Sequence, residues 1–202
     1  MNGKQLEAEI LRSIKSSPKL TGDRYGVKMS FRDGEFRPIK SNPDIEGLIA
    51  PKGRQFVIEA KTLGTPSLFL ATRIRKDKTS QQLKKMFERS AFGGVCCYVI
   101  HWNERQLKTK YCPPRTFAFP VHPCDDFWRA FVFGVVTKIT VDDCVEHAIE
   151  IEWEVGGRVR TPRMNLVSVI EKLDARINPV VDYDWRKTPV FVGVDEDEGA
   201  GE

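Results

Sequence analysis

The stretch Gln55-Phe56-Val57-Ile58-Glu59-Ala60-Lys61-Thr62-Leu63 opens with aromatic and β-branched residues and closes on alternating charges. Its opening is that of a β-strand. In a strand, successive side chains leave on opposite faces, so Glu59 and Lys61 emerge together while Ile58 and Ala60 turn the other way. Upstream, Pro43-Asp44 begins a second apolar run, with fourteen residues between Asp44 and Glu59. The segments 44–50 and 54–63 read as two strands joined by a turn at Ala50-Pro51-Lys52-Gly53. If they form a hairpin, Asp44 lies beside Glu59 and Lys61. Two hard carboxylates next to an ammonium suit phosphodiester hydrolysis with a divalent metal: oxygens hold Mg²⁺, the metal acidifies water, and lysine faces the developing charge. Taken alone, Glu-x-Lys in a strand also fits an ordinary surface ion pair.

Working outward, residues 3–17 read as a helix with Leu6, Ile10, Leu11 and Ile14 on one stripe, closed by Pro18. Glu7 falls on that stripe and Glu9 on the polar face beside Arg12 and Ser13. A carboxylate on a buried stripe is costly unless paired or bound to metal, so Glu7 is the third candidate ligand. Residues 19–42, rich in Gly, Asp, Pro and Lys, read as loops with at most a short strand. Residues 79–91 read as a helix with Leu83, Met86 and Phe87 inward, stopped by Gly93-Gly94. Thr79 and Gln82 have capping-box spacing. VCCYVIHW (95–102) is apolar nearly throughout, as in a strand covered on both faces. Helix, strand, strand, helix, strand predicts an α/β (α+β) chain with a central mixed sheet flanked by helices. Beyond it, the pattern predicts a strand at 116–121, a helix at 125–133, a hairpin of 145–155 with 158–164, and a helix at 165–177.

The chain has 202 residues, 41% hydrophobic and 30% charged, which excludes wholesale disorder. Residues 1–192 are expected to form one domain, with core motifs in 1–102 and an elaboration in 116–192. Residues 193–202 are expected to be an acidic, disordered tail. No apolar run has membrane-spanning length and no signal-peptide core is visible, so a cytoplasmic protein is expected. Five cysteines, two of them inside the 95–102 run, fit a reduced compartment. Net charge is +4, but residues 1–115 carry +12 and the remainder −8. A basic half suggests a polyanionic partner. The densest cluster is Arg73, Arg75, Lys76, Lys78, Lys84, Lys85 and Arg89, candidates for DNA phosphates. Lys84 and Lys85 also fit a solvated helix face beside Glu88. His101, Cys112, His122 and Cys124 match no zinc spacing, and nothing resembles a nucleotide-binding phosphate loop. The tryptophans read as core or interface residues.

Four segments together resemble the PD-(D/E)xK nuclease superfamily, and within it the RecU-type Holliday-junction resolvases. They are Gly3–Ile10, Pro43–Gly47, Phe56–Lys61, and Gln81–Met86 with the glycines and strand that follow. Ile45 stands where that family has an aromatic, Glu46 adds an acid, and Gln81 replaces a histidine. The resemblance implies a restriction-endonuclease-like core and places the family's helix glutamine on Gln82. It implies Glu7, Asp44 and Glu59 as metal ligands, Mg²⁺ as cofactor with Mn²⁺ as substitute, and no nucleotide cofactor. It implies a homodimer that cleaves four-way DNA junctions by symmetric nicking. The alternatives are a restriction- or repair-type endonuclease on duplex or flapped DNA, and a non-enzymatic DNA-binding protein that keeps a nuclease fold.

Overall fold

The computed structural model describes residues 1–24, 28–32, 35–39, 43–69, 79–106, 109, 111–154 and 163–176; residues 28–32, 35–39, 69 and 79–81 are described by backbone alone. In chain order the elements are α1 (Gly3–Lys15), β1 (Leu20–Arg24), β2 (Lys28–Arg32), β3 (Glu35–Ile39), β4 (Ile45–Ile49), β5 (Arg54–Leu63) and β6 (Ser67–Phe69). Then come α2 (Thr79–Ala91), β7 (Val95–Trp102), β8 (Arg105–Gln106), β9 (Tyr111–Cys112), β10 (Arg115–Pro120), α3 (Asp126–Val132), β11 (Lys138–Thr140) and α4 (Val141–His147). The last are β12 (Ile149–Glu150), β13 (Trp153–Glu154), β14 (Arg163–Met164) and α5 (Leu166–Arg176).

Six strands form the main sheet in the order β1-β4-β5-β7-β10-β12. The sheet is mixed, as expected: β5 and β7 run parallel, and the other neighbours run antiparallel. β7 is buried along its whole length because helices cover both faces. One face carries Val57, Tyr98, Ile100, Phe117 and Phe119 against Leu83, Met86 and Phe87 of α2 and Trp128 of α3. The other carries Phe56, Ile58, Cys97 and Val99 against Leu6, Ile10 and Ile14 of α1 and Ile170 and Leu173 of α5. Asn2 starts α1 with a capping box, its side chain accepting from the Gln5 N–H at 3.0 Å and its own N–H donating back to Gln5 at 2.8 Å. The turn at 50–53 contains a cis Ala50–Pro51 bond, and Gly53 sits at φ +66°.

Two expectations need correction. The segment read as loops forms β1, which pairs with β4 at the sheet edge, and a β2–β3 hairpin. LTGDR has little apolar alternation, so its pairing with β4 decides its state rather than its own propensity. The long hairpin expected over 145–164 shrinks to Trp153-Glu154 against Met164-Arg163. The start of its first arm is instead the end of α4, whose N-cap Thr140 accepts from the Asp143 N–H while the Asp143 carboxylate accepts from the Thr140 N–H. Residues 155–162 and the acidic tail lie outside the described residues.

The sheet edge is tightened by two facing glycines. Gly22 of β1 stands opposite Gly47 of β4, with the Phe56 ring beneath both. A Cβ on Gly47 would lie 2.1 Å from the Thr21 carbonyl oxygen and 2.6 Å from the Phe56 ring.

Candidate active site

The β4–β5 ladder begins at Ile45 opposite Ile58 and runs to Ile49 opposite Arg54. Beyond Ile58, β5 continues to Leu63 with β7 on one side and no β4 on the other. This leaves a notch in the sheet, and Asp44 fills its mouth. The Ala60 N–H donates to Asp44 Oδ2 at 2.9 Å, so a side chain accepts where a strand carbonyl would otherwise stand. The Asp44 N–H donates to Glu59 Oε2 at 3.2 Å. The Lys61 ammonium donates to Glu59 Oε1. Asp44, Glu59 and Lys61 therefore meet, as the hairpin reading predicts.

Glu59 is 1% exposed and Lys61 21%. Burial pushes the Glu59 carboxyl up to about 7, outweighing the lysine that favours its charge, while Asp44 adds repulsion. Glu7 reaches the same neighbourhood from the opposite face of the sheet. Its carboxyl is raised first by burial and then by the Asp44 charge, against the pull of Arg24, Lys61 and Lys4. It is ion-paired with Arg24 Nη2 at 2.6 Å. Glu9 instead pairs with Arg12 at 2.6 Å, as its place on the polar face implied. Glu46 shares a face with Asp44 and is taken by Arg89 of α2 at 2.6 Å.

Asp44 raises the pKa of both Glu59 and Glu7, a crowding of negative charge that a divalent cation relieves, so the donor set fits Mg²⁺ in kind. Among the described residues, no three Asp, Glu, His or Cys side chains already stand at metal-ligand spacing. Glu59 is held by Lys61 and Glu7 by Arg24, so either must turn to serve as a ligand.

Gln82 is half-buried on α2 and has a bonding partner. Lys84 and Lys85 are half-buried and partnered. Arg73, Arg75, Lys76 and Lys78 lie outside the described residues, as does the side chain of Thr79.

The His101 Nδ1 lies 2.8 Å from Thr116 Oγ1, which also accepts from Trp153 Nε1. All five cysteines are free, and Cys96 and Cys97 are buried as small apolar groups. Trp102 and Trp128 are core residues, while Trp185 lies outside the described residues. Among the described residues, no helix is long and apolar enough to cross a membrane. Sequence reasoning missed Arg24, whose strand it did not recognise.

No family model and no curated protein matches the chain. Among solved structures, the chain is similar to Hjc, a Holliday junction resolvase from the archaeal hyperthermophile Archaeoglobus fulgidus. The identity is 16% and the TM-score 0.43, over 73% of this chain and 95% of that one.

Proposed function

We propose that the chain is a Mg²⁺-dependent endodeoxyribonuclease that hydrolyses phosphodiester bonds in branched DNA, with the four-way junction as substrate and Mn²⁺ as a substitute metal. The observation that supports this reading best is the gathering of Asp44, Glu59 and Lys61 at one notch in the sheet. Glu7 lies within electrostatic reach of Asp44 and Lys61. Junction selectivity and a homodimer that nicks symmetrically rest on the sequence resemblance, and a twofold assembly suits a substrate with paired cleavage points.

In this reading Asp44 and Glu59, with Glu7, hold the cation. When bound, Mg²⁺ supplies charge neutralisation at the scissile phosphate and a more acidic water. Lys61, released from Glu59, orients the attacking water or faces the charge that develops on the phosphate. Gln82 positions water or phosphate from the α2 side. Arg73, Arg75, Lys76 and Lys78, with Lys84 and Lys85, track backbone phosphates, which fixes register without reading bases.

The test is cleavage of a synthetic four-way junction and of its component duplex in Mg²⁺, Mn²⁺, Ca²⁺ and chelator. The junction is expected to be cut in Mg²⁺ and Mn²⁺ and spared in chelator. Glu59→Gln and Lys61→Ala are each expected to lower the rate by about a hundredfold or more while junction binding persists. Preferential cutting of the duplex would move the assignment to a restriction or repair nuclease. Salt-dependent binding with no cutting under any metal would leave only a DNA-binding protein.

A further inference from the structure

Tyr98 lies on β7 directly beside Glu59 in the parallel β5–β7 register, so the two side chains share a face. It is 0% exposed. Its ring packs on Trp128, with centroids 5.9 Å apart and planes 25° from parallel, and that contact holds it in place. Its hydroxyl is buried and has no hydrogen-bond partner among the described residues. A buried unmatched hydroxyl costs free energy, and a phenylalanine would fill the same space without that cost. The hydroxyl lies close enough to Glu59 and Asp44 for both to raise its pKa, after burial itself. Glu59, meanwhile, has both oxygens engaged, one by Lys61 and the other by the Asp44 N–H.

We propose that Tyr98 is a positioning residue whose hydroxyl donates to the Glu59 carboxylate once that carboxylate leaves Lys61 to hold a divalent cation. The inference rests on the metal-binding reading above. Glu59 is too deeply buried for water to replace a lost donor, so turning it toward a cation strips one oxygen of its partner. Tyr98 is the adjacent donor with capacity to spare. The clamped ring makes the hydroxyl a fixed reference, and the flexible glutamate moves to it. The tyrosine thus has no bond in the cation-free state and gains one in the loaded state.

The test measures Ca²⁺ and Mg²⁺ binding by calorimetry, and unfolding in chelator, for wild type, Tyr98→Phe, Glu59→Gln and the double variant. Tyr98→Phe is expected to be at least as stable as wild type in chelator, yet to bind Ca²⁺ about 10–100-fold more weakly. The double variant is expected to bind no more weakly than Glu59→Gln alone, because the tyrosine acts through that carboxylate. A dissociation constant unchanged by Tyr98→Phe overturns the role. So does a loss of stability in chelator, which identifies a hydroxyl that already has a partner. A wild-type protein that binds no divalent cation overturns the metal reading itself, and the tyrosine's role with it.

Discussion

Glu59 is the residue on which burial and charge compete most directly. Its carboxyl ionises near 4.5 in an unfolded chain and near 7 in the fold. The folded state therefore holds the proton more tightly between those values. The contribution of Glu59 to metal-free stability should be fully present below about pH 4.5, fall as pH rises towards 7, and be lost above it. A shift of this size corresponds to at most about 3 kcal/mol. Denaturant unfolding in chelator at several pH values measures it, and Glu59→Gln should flatten the difference from wild type across that window. Asp44 offers a second readout at this scale. Its carboxylate is the acceptor for the Ala60 amide, so Asp44→Ala should speed hydrogen exchange at Ala60 while Val57 and Ile58 keep their ladder protection. Equal exchange at Ala60 in both proteins would contradict this bond. The acid–lysine set was legible because strand alternation and hairpin pairing fix its geometry from spacing alone. Tyr98 was not, because nothing in an apolar run tells which polar atom lacks a partner.

At the scale of elements, strand β4 is positioned by what it lacks. Gly47 has no side chain because Thr21, Gly22 and the Phe56 ring occupy that space. Gly47→Ala should destabilise the protein by at least about 2 kcal/mol, because backbone and a core aromatic would have to move. It should also lower activity, since Asp44 begins the same strand. Gly3→Ala is the control: nothing lies near a Cβ there and alanine favours helix, so thermal unfolding should show no loss. The helices α1, α2, α3 and α5 were legible from apolar periodicity. β1 was not, because it is a strand by virtue of its neighbour. The start of α4 carried its own signal in Thr140 and Asp143, in the stretch between the expected helix at 125–133 and the expected hairpin from 145, to which no element was assigned.

At the scale of the molecule, the ligand candidates come from both sides of one sheet. α1 brings Glu7 from one face, Glu59 and Lys61 leave from the other, and the notch opens where β4 begins. Helices cover both broad faces, so on the proposed function the phosphodiester meets the sheet at the notch, and each copy of the chain carries one such notch. A double incision must therefore be counted in copies of the protein: at limiting protein, a supercoiled plasmid bearing an extruded cruciform should pass through a nicked circle before it becomes linear.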